Sequence, residues 1–202
     1  MELHAGSAEH LISNWQTIGA QVPSGGNSIT RQLGRLLLRT CGWKLSGEIP
    51  NRPQLIIAVA PHTSNFDFVL TVGVIMSLGL KASYLAKSSL FRFPLGVVMR
   101  LFGGIPVDRN NANGMVEQMS AQFAASPKLI LGIAPEGTRQ SVRRWRSGFA
   151  LIAQAANVPV LPAIINYHTR VVTFAAIIDN VIDADATLNA VKHAAGAGRG
   201  RG

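Results

Sequence analysis

The sequence is poor in several residue types, and each shortage narrows the class of protein. Its 202 residues include one cysteine, Cys41, so the chain forms no internal disulfide. Aromatic residues make up 6% and charged residues 14%. No basic run is interleaved with stacking aromatic side chains, the pattern typical of single-stranded nucleic-acid binding. We therefore expect no nucleic-acid partner.

Long apolar runs are also missing, although apolar residues make up 48% and the mean hydropathy is +0.24. No run reaches the roughly 18–20 residues that a membrane-spanning helix needs. The first residues, MELHAGSAEH, lack the basic start and apolar stretch of a secretory signal. The sequence therefore predicts an intracellular chain that is either soluble or bound at a membrane surface.

Positive charge is concentrated in one part of the chain. Residues 31–146 contain 15 Lys and Arg and 5 Asp and Glu, a balance of +10, whereas the remainder has 4 basic and 5 acidic residues. A basic body favours an anionic partner such as lipid head groups or phosphate esters.

Composition predicts one domain between two less regular ends. Residues 1–27 form an N-terminal segment, and VPSGGNS (22–28) is typical of a flexible linker. Residues 28–195 are long enough for a single domain with a sizeable core. The glycine-rich tail, residues 196–202, is predicted to be disordered.

A basic amphipathic helix is predicted over 29–41, with Ser28 as its cap. Arg31, Arg35 and Arg39 recur at every fourth position, and an apolar face combines Ile29, Leu33, Leu36, Leu37 and Thr40. Such a helix can lie in a membrane interface. The alternative is an ordinary surface helix packed on the core.

Beyond this helix, predicted strands and helices alternate. The strands cover 55–60, 84–86, 105–107, 128–134, 158–166 and 171–178, and the helices cover 65–79, 88–101, 112–125, 147–156 and 185–195. This order predicts an α/β fold with a mixed, largely parallel sheet flanked by helices and an N-terminal amphipathic helix.

A histidine and an aspartate straddle the first strand-to-helix turn. In APHTSNFDF (60–68), His62 lies just past the strand, where open α/β sheets bind their ligands, and Asp67 lies in the first turn of the next helix. Asp67 could orient the imidazole while its other nitrogen takes a proton. The alternative is a helix-capping aspartate beside a partly buried histidine.

Three further stretches lie at predicted strands: two place polar residues just past a strand, and the third is itself a proline-punctuated apolar strand. These are GGIPVDRN (103–110), APEGTR (134–139) and VPVLPAIIN (158–166). Together with the His-x4-Asp pattern, in this order and spacing, they resemble the glycerolipid acyltransferases, which include glycerol-3-phosphate and lysophosphatidic acid acyltransferases. The stretch 86–109 is similar to the family segment that joins the first two blocks, and the resemblance covers about residues 29–170.

The resemblance implies transfer of an acyl group from a thioester to a lipid hydroxyl. It makes His62 the general base and Asp67 its orienting partner, and it assigns the acceptor site to Lys87, Arg109, Glu136, Gly137, Thr138 and Arg139. The donor would be acyl-CoA or acyl carrier protein, with no other cofactor and no metal. The chemistry agrees, because a thioester is already activated, arginine forks suit phosphate oxygens, and no G-x-S-x-G nucleophile elbow is present.

Two departures from the family pattern concern the acceptor. Pro61 stands where the first block often has asparagine, and the segment after Arg139 is short. A lipid acceptor without phosphate, a non-catalytic lipid-binding module and a hydrolase are the alternatives to a lysolipid acyltransferase. We expect a monotopic enzyme on the cytoplasmic face of a membrane with anionic lipids.

Overall fold

A mostly parallel, seven-stranded sheet forms the centre of the protein. The computed structural model describes residues 18–61, 66–107, 112–136 and 145–196. The strands are β1 (Lys44–Ser46), β2 (Gln54–Ala60), β3 (Ala82–Lys87), β4 (Gly104–Val107), β5 (Leu129–Ile133), β6 (Val160–Asn166) and β7 (Val171–Phe174). Their order across the sheet is β1-β7-β6-β2-β5-β3-β4.

Five neighbouring strands of this sheet run in one direction. Strand β2 pairs in parallel with β5 and β6, and β3 pairs in parallel with β4 and β5. Strand β7 runs antiparallel to β6, and β1 runs parallel to β7 at the edge. The predicted mixed, largely parallel α/β sheet is confirmed, whereas the short strand β1 was not predicted.

Helices cover both faces of the sheet. They are α1 (Ser28–Thr40), α2 (Phe66–Leu78), α3 (Leu95–Leu101), α4 (Ala112–Ala125), α5 (Gly148–Ala156) and α6 (Ala184–Ala195), with a 3₁₀ turn over Ser88–Phe91. The single helix predicted over 88–101 is wrong. Pro94 has no amide hydrogen and disfavours a helical conformation at Phe93, so the 3₁₀ turn and α3 are separate.

The two faces have separate apolar cores because strand side chains alternate. Leu55 and Ile57 of β2 join the core beneath α1 and α2, whereas Ile56 and Ala58 join the core beneath α4, α5 and α6. Since β2 is covered on both faces, it is a continuous apolar run and not an alternating one.

The segment before α1 is attached to the core. Val22 is buried, the Gly25 amide donates to the Gly79 carbonyl at 2.9 Å, and the Lys81 amide donates to the Pro23 carbonyl at 2.9 Å. Residues 22–25 of the predicted linker are therefore packed against the end of α2. Residues 1–17 and the tail 197–202 lie outside the described residues.

Helix α1 begins one residue earlier than expected and has a different cap. Asn27, not Ser28, accepts a hydrogen bond from the Thr30 amide at 2.9 Å, and the Thr30 hydroxyl accepts from the Asn27 amide at 2.9 Å. This reciprocal capping box satisfies two amide groups that the first turn leaves without helical partners.

Glycine allows α1 and α2 to approach each other closely. A Cβ added to Gly34 would be 2.4 Å from the Ser77 amide nitrogen, 2.7 Å from Met76 Cβ and 2.9 Å from the Gly73 carbonyl oxygen. Gly34 and Leu38 are the buried residues of α1. The helix therefore docks on α2 through its smallest residue.

We expect Gly34→Val to detach or strain α1, because two of the three atoms it meets belong to the backbone of α2. Overpacking typically costs about 1–3 kcal/mol, which corresponds to a fall in Tm of roughly 2–12 °C for a domain of this size. Gln32→Val introduces the same side chain at an exposed position of the same helix and should leave Tm nearly unchanged. Equal melting temperatures for the two variants would contradict this close packing.

Candidate active site

Five strand ends meet at one edge of the sheet. Because β6, β2, β5, β3 and β4 are parallel, their carboxyl ends share that edge. The residues that follow these ends in the chain are Tyr167, Pro61, Ala134, Ser88 and Asp108. The topology thus places at one side of the sheet the strand ends from which the sequence motifs continue along the chain.

Asp67 is fully buried in the first turn of α2. A carboxylate there benefits from the partial positive charge at a helix N-terminus. The hydroxyl of Tyr167 donates a hydrogen bond to Asp67 Oδ1 across 100 residues of sequence. Burying a charged group without such bonds costs several kcal/mol, so this contact accounts for part of the stability of the carboxylate at this position.

Tyr167 belongs to a tight turn between β6 and β7. Asn166 Oδ1 accepts hydrogen bonds from the amides of His168 at 3.0 Å and Thr169 at 3.1 Å. The Tyr167 ring meets the edge of Trp43, with centroids 5.1 Å apart and planes at 88°. The backbone turn and the buried indole together fix the direction of the phenol.

Glu136 is the second buried carboxylate of this edge. It lies three residues past β5 and is almost fully enclosed. The carbonyl of the preceding Pro135 accepts a hydrogen bond from the Arg146 amide at 2.8 Å, which ties this turn to the start of α5. Trp145 is half-buried and packs against the small apolar cluster of Ala60, Ile164 and Ala195.

Only part of the sequence-predicted site can be compared with the structure. Asp67 and Glu136 are described, and Lys87 is the last residue of β3, where its backbone pairs with Val107. The other predicted site residues lie outside the described residues: His62, Arg109, Gly137, Thr138 and Arg139. Their predicted roles therefore remain predictions.

Sequence reasoning missed Tyr167. The signal that identified His62, a polar side chain directly after an apolar strand, is equally present in LPAIINYH (161–168). The stretch that resembles the family, 158–166, ends one residue before Tyr167. The pairing with Asp67 could not be read from the sequence, since it depends on β6 lying beside β2.

Large apolar side chains are exposed on α1 and around α3. On α1 they are Ile29, Leu33 and Leu36, and around α3 they are Phe93, Val97, Leu101 and Phe102. We call these seven residues the exposed apolar surface. Helix α2 connects the two parts, since it packs on α1 and its Phe68 ring contacts Tyr84, whose hydroxyl lies 3.6 Å from Met99 Sδ of α3.

The three arginines that recur at every fourth position of α1 differ in their exposure to solvent. Arg39 is exposed, whereas Arg31 and Arg35 are half-buried. A Cβ on Gly79 would lie 2.2 Å from Arg31 Nε, so this guanidinium rests against the C-terminal end of α2. Helix C-termini carry partial negative charge, so the Arg31 guanidinium stabilises the contact between α1 and α2 in addition to contributing positive charge to the surface.

No helix among the described residues is long and apolar enough to cross a bilayer.

Comparison with known proteins supports the expected family. The model of the family described as Acyltransferase matches residues 45–166, from β1 to the end of β6. A search of curated protein sequences finds no significant match.

A solved structure has a similar fold. The crystal structure of the 1-acyl-sn-glycerophosphate (LPA) acyltransferase PlsC from Thermotoga maritima matches 83% of this chain and 75% of its own, with a TM-score of 0.58 and 16% identity. At this identity the likeness concerns the fold. Since the family model spans more than half of the chain, including every strand that supplies the candidate site, this protein belongs to the Acyltransferase family and is an acyltransferase.

Proposed function

We propose that the protein transfers a fatty acyl group from acyl-CoA or acyl carrier protein to the hydroxyl of a lysophospholipid of the lysophosphatidic acid type. The observation that carries this proposal is the burial of Asp67, which lies five residues after His62 in the sequence. Its carboxylate accepts a hydrogen bond from the Tyr167 hydroxyl. A solvated capping aspartate would need neither burial nor a hydrogen-bond donor from the turn after β6. Family membership and the named activity of the Thermotoga maritima structure support the same reaction.

In the proposed reaction His62 acts as general base. It removes the proton of the acceptor hydroxyl while that oxygen attacks the thioester carbonyl, and the resulting tetrahedral intermediate collapses with cleavage of the carbon–sulfur bond. The thiolate takes up the proton from the imidazolium, which restores the enzyme. Asp67 orients the imidazole and stabilises its positive charge, and such a base typically contributes about 10²–10⁴-fold.

We expect His62→Ala to lower kcat by about 10²–10⁴-fold, because the general base is lost. Thiol release from an acyl thioester in the presence of lysophosphatidic acid measures kcat. Asp67→Asn should also be severely impaired. Near-normal turnover by a folded His62→Ala protein would remove the general-base mechanism.

The acceptor phosphate is proposed to bind Arg109 and Arg139, with Lys87, Glu136, Gly137 and Thr138 completing the acceptor site. Both arginines belong to segments that follow parallel strands at the candidate site. A guanidinium can donate two hydrogen bonds to one phosphate, and Gly137 would let the backbone approach the ligand. Glu136 would bind an acceptor hydroxyl or hold an arginine in position.

Arg109→Ala and Arg139→Ala are each expected to raise the KM for lysophosphatidic acid about 10-fold or more, with a much smaller effect on the KM for the thioester. The reason is that each variant loses the hydrogen bonds between one guanidinium and the acceptor phosphate. Arg52→Ala is the matched control, since Arg52 precedes β2 at the opposite edge and pairs with Asp179 at 3.1 Å. Effects on the thioester alone would assign the arginines to the donor site.

We further propose that the exposed apolar surface contacts the cytoplasmic face of a membrane. Exposed Arg92 and Arg100 directly precede its Phe93 and Leu101, and exposed Arg39 lies three positions after Leu36 on α1; these cations suit anionic lipids. Near an anionic surface each basic residue contributes about 1 kcal/mol. Removing apolar area from water adds roughly 25 cal/mol per Å², so the two terms together support peripheral, monotopic binding.

Leu101→Glu, and separately the pair Leu33→Glu and Leu36→Glu, should reduce flotation with anionic vesicles about 10-fold, because each inserts a charge into the membrane-facing region. Ile182→Glu is the control: Ile182 is 81% exposed against 80% for Leu101, but it neighbours α5 on the other face of the sheet. All four side chains are exposed, so Tm should stay near the wild-type value. An equal loss for Ile182→Glu would contradict a defined membrane surface.

A further inference from the structure

The proposed reaction depends on an aspartate whose surroundings include a residue outside every motif. Asp67 is fully buried, and the Tyr167 hydroxyl donates to its Oδ1. Tyr167 comes from the turn after β6, whereas Asp67 comes from the helix after β2. These two strands are adjacent and parallel, with Ala60 opposite Ile164, so the contact follows directly from the sheet register.

The phenol is held from two directions that do not involve Asp67. Its backbone lies in the turn that the Asn166 side chain closes through the amides of His168 and Thr169. Its ring packs edge-on against Trp43, which is itself buried. The hydroxyl is therefore preorganised toward the carboxylate and needs little further ordering.

We infer that Tyr167 is a positioning residue for acyl transfer, acting through Asp67. This inference rests on the proposed function, in which Asp67 orients the His62 imidazole. A carboxylate offers two oxygens, so a bond to Oδ1 from a fixed phenol defines the plane of the carboxylate and leaves acceptor capacity for the imidazole N–H. Tyr167 forms no bond to substrate and takes no proton in the reaction.

The consequence for catalysis is that Asp67 holds the His62 imidazole in one orientation. In a buried site, a carboxylate that lacks one of its hydrogen-bond donors reorients toward other partners. The imidazole that it binds is then no longer held in one tautomer and one orientation. Loss of the Tyr167 hydroxyl therefore slows the chemical step and lowers kcat. Binding of the acyl donor and of the lysolipid is unaffected, because neither contacts the phenol in this mechanism.

The test is the set Tyr167→Phe, Asp67→Asn and the double variant, assayed with an acyl thioester and lysophosphatidic acid. Tyr167→Phe retains the ring that contacts Trp43 and removes only the hydroxyl. We expect kcat to fall about 10- to 100-fold, the range for a lost hydrogen bond to a charged group, with both KM values within about twofold of wild type. The double variant should turn over no more slowly than Asp67→Asn alone, because Tyr167 acts through that carboxylate.

Tyr84→Phe is the matched control, since Tyr84 is the other tyrosine of the chain. Its hydroxyl meets Met99 Sδ and not a carboxylate, and burial raises the pKa of this phenol above its ordinary value, so it too is a neutral hydroxyl. Its removal should leave kcat unchanged. Thermal melts of all variants supply the folded fraction to which each kcat is normalised.

Three outcomes for the Tyr167 variants would overturn the positioning role: an unchanged kcat in Tyr167→Phe, a change confined to KM, or losses that multiply in the double variant. An equal fall in Tyr84→Phe would also overturn it, since any tyrosine hydroxyl would then have the same effect. If the wild-type protein transferred no acyl group, the proposed function would fail and the positioning role with it. An active wild type with an unaffected Tyr167→Phe would refute the positioning role alone.

Discussion

The parallel direction of five adjacent strands is the constraint on which the rest of the structure depends. Each parallel connection must cross the sheet, so helices cover both faces and the strands become continuous apolar runs. The same geometry places the carboxyl ends of these five strands at one edge of the sheet. Core and candidate site are thus two results of one arrangement, because the apolar strands that form the cores also deliver the residues of the site.

Burial of Asp67 links this arrangement to chemistry. A carboxylate with no exposed surface requires hydrogen bonds, and Tyr167 supplies one because β6 lies beside β2. Tyr167 in turn rests on Trp43, which follows the end of α1. The helix proposed to contact the membrane and the aspartate proposed to orient the base are therefore connected through two aromatic rings.

Local patterns in the sequence predicted most helices and strands, because apolar periodicity reports which face of an element is buried. Helix α4 was predicted over its observed range, 112–125, and β2 within one residue. The errors arose where a single residue overrides the period: Pro94 interrupts the helix predicted over 88–101, and Asn27 replaces Ser28 as the cap of α1. Strand β1 was missed because three residues are too few to show alternation, and it exists through pairing with β7.

The sequence predicted site residues only where they lie close in sequence to the end of a strand. Asp67 was proposed from its position in the helix that follows β2 and Glu136 from the family resemblance of a segment just past β5, and both side chains are buried. The contact with Tyr167 joins residues 100 positions apart and depends on strand order, which no local pattern contains. The three arginines of α1 illustrate the same limit, since their spacing places them in a row along the helix but does not indicate which of them is exposed, and only Arg39 is.

The central claim is that this fold transfers an acyl group to a lipid hydroxyl. Thioester consumption by the wild-type protein, followed together with mass spectrometry of the lipid product, tests that claim most directly. The account predicts that thiol release requires lysophosphatidic acid and equals the amount of diacylated product. Thiol release without acceptor would indicate a hydrolase, and lipid binding without thiol release would indicate a non-catalytic module. Either result would contradict the account.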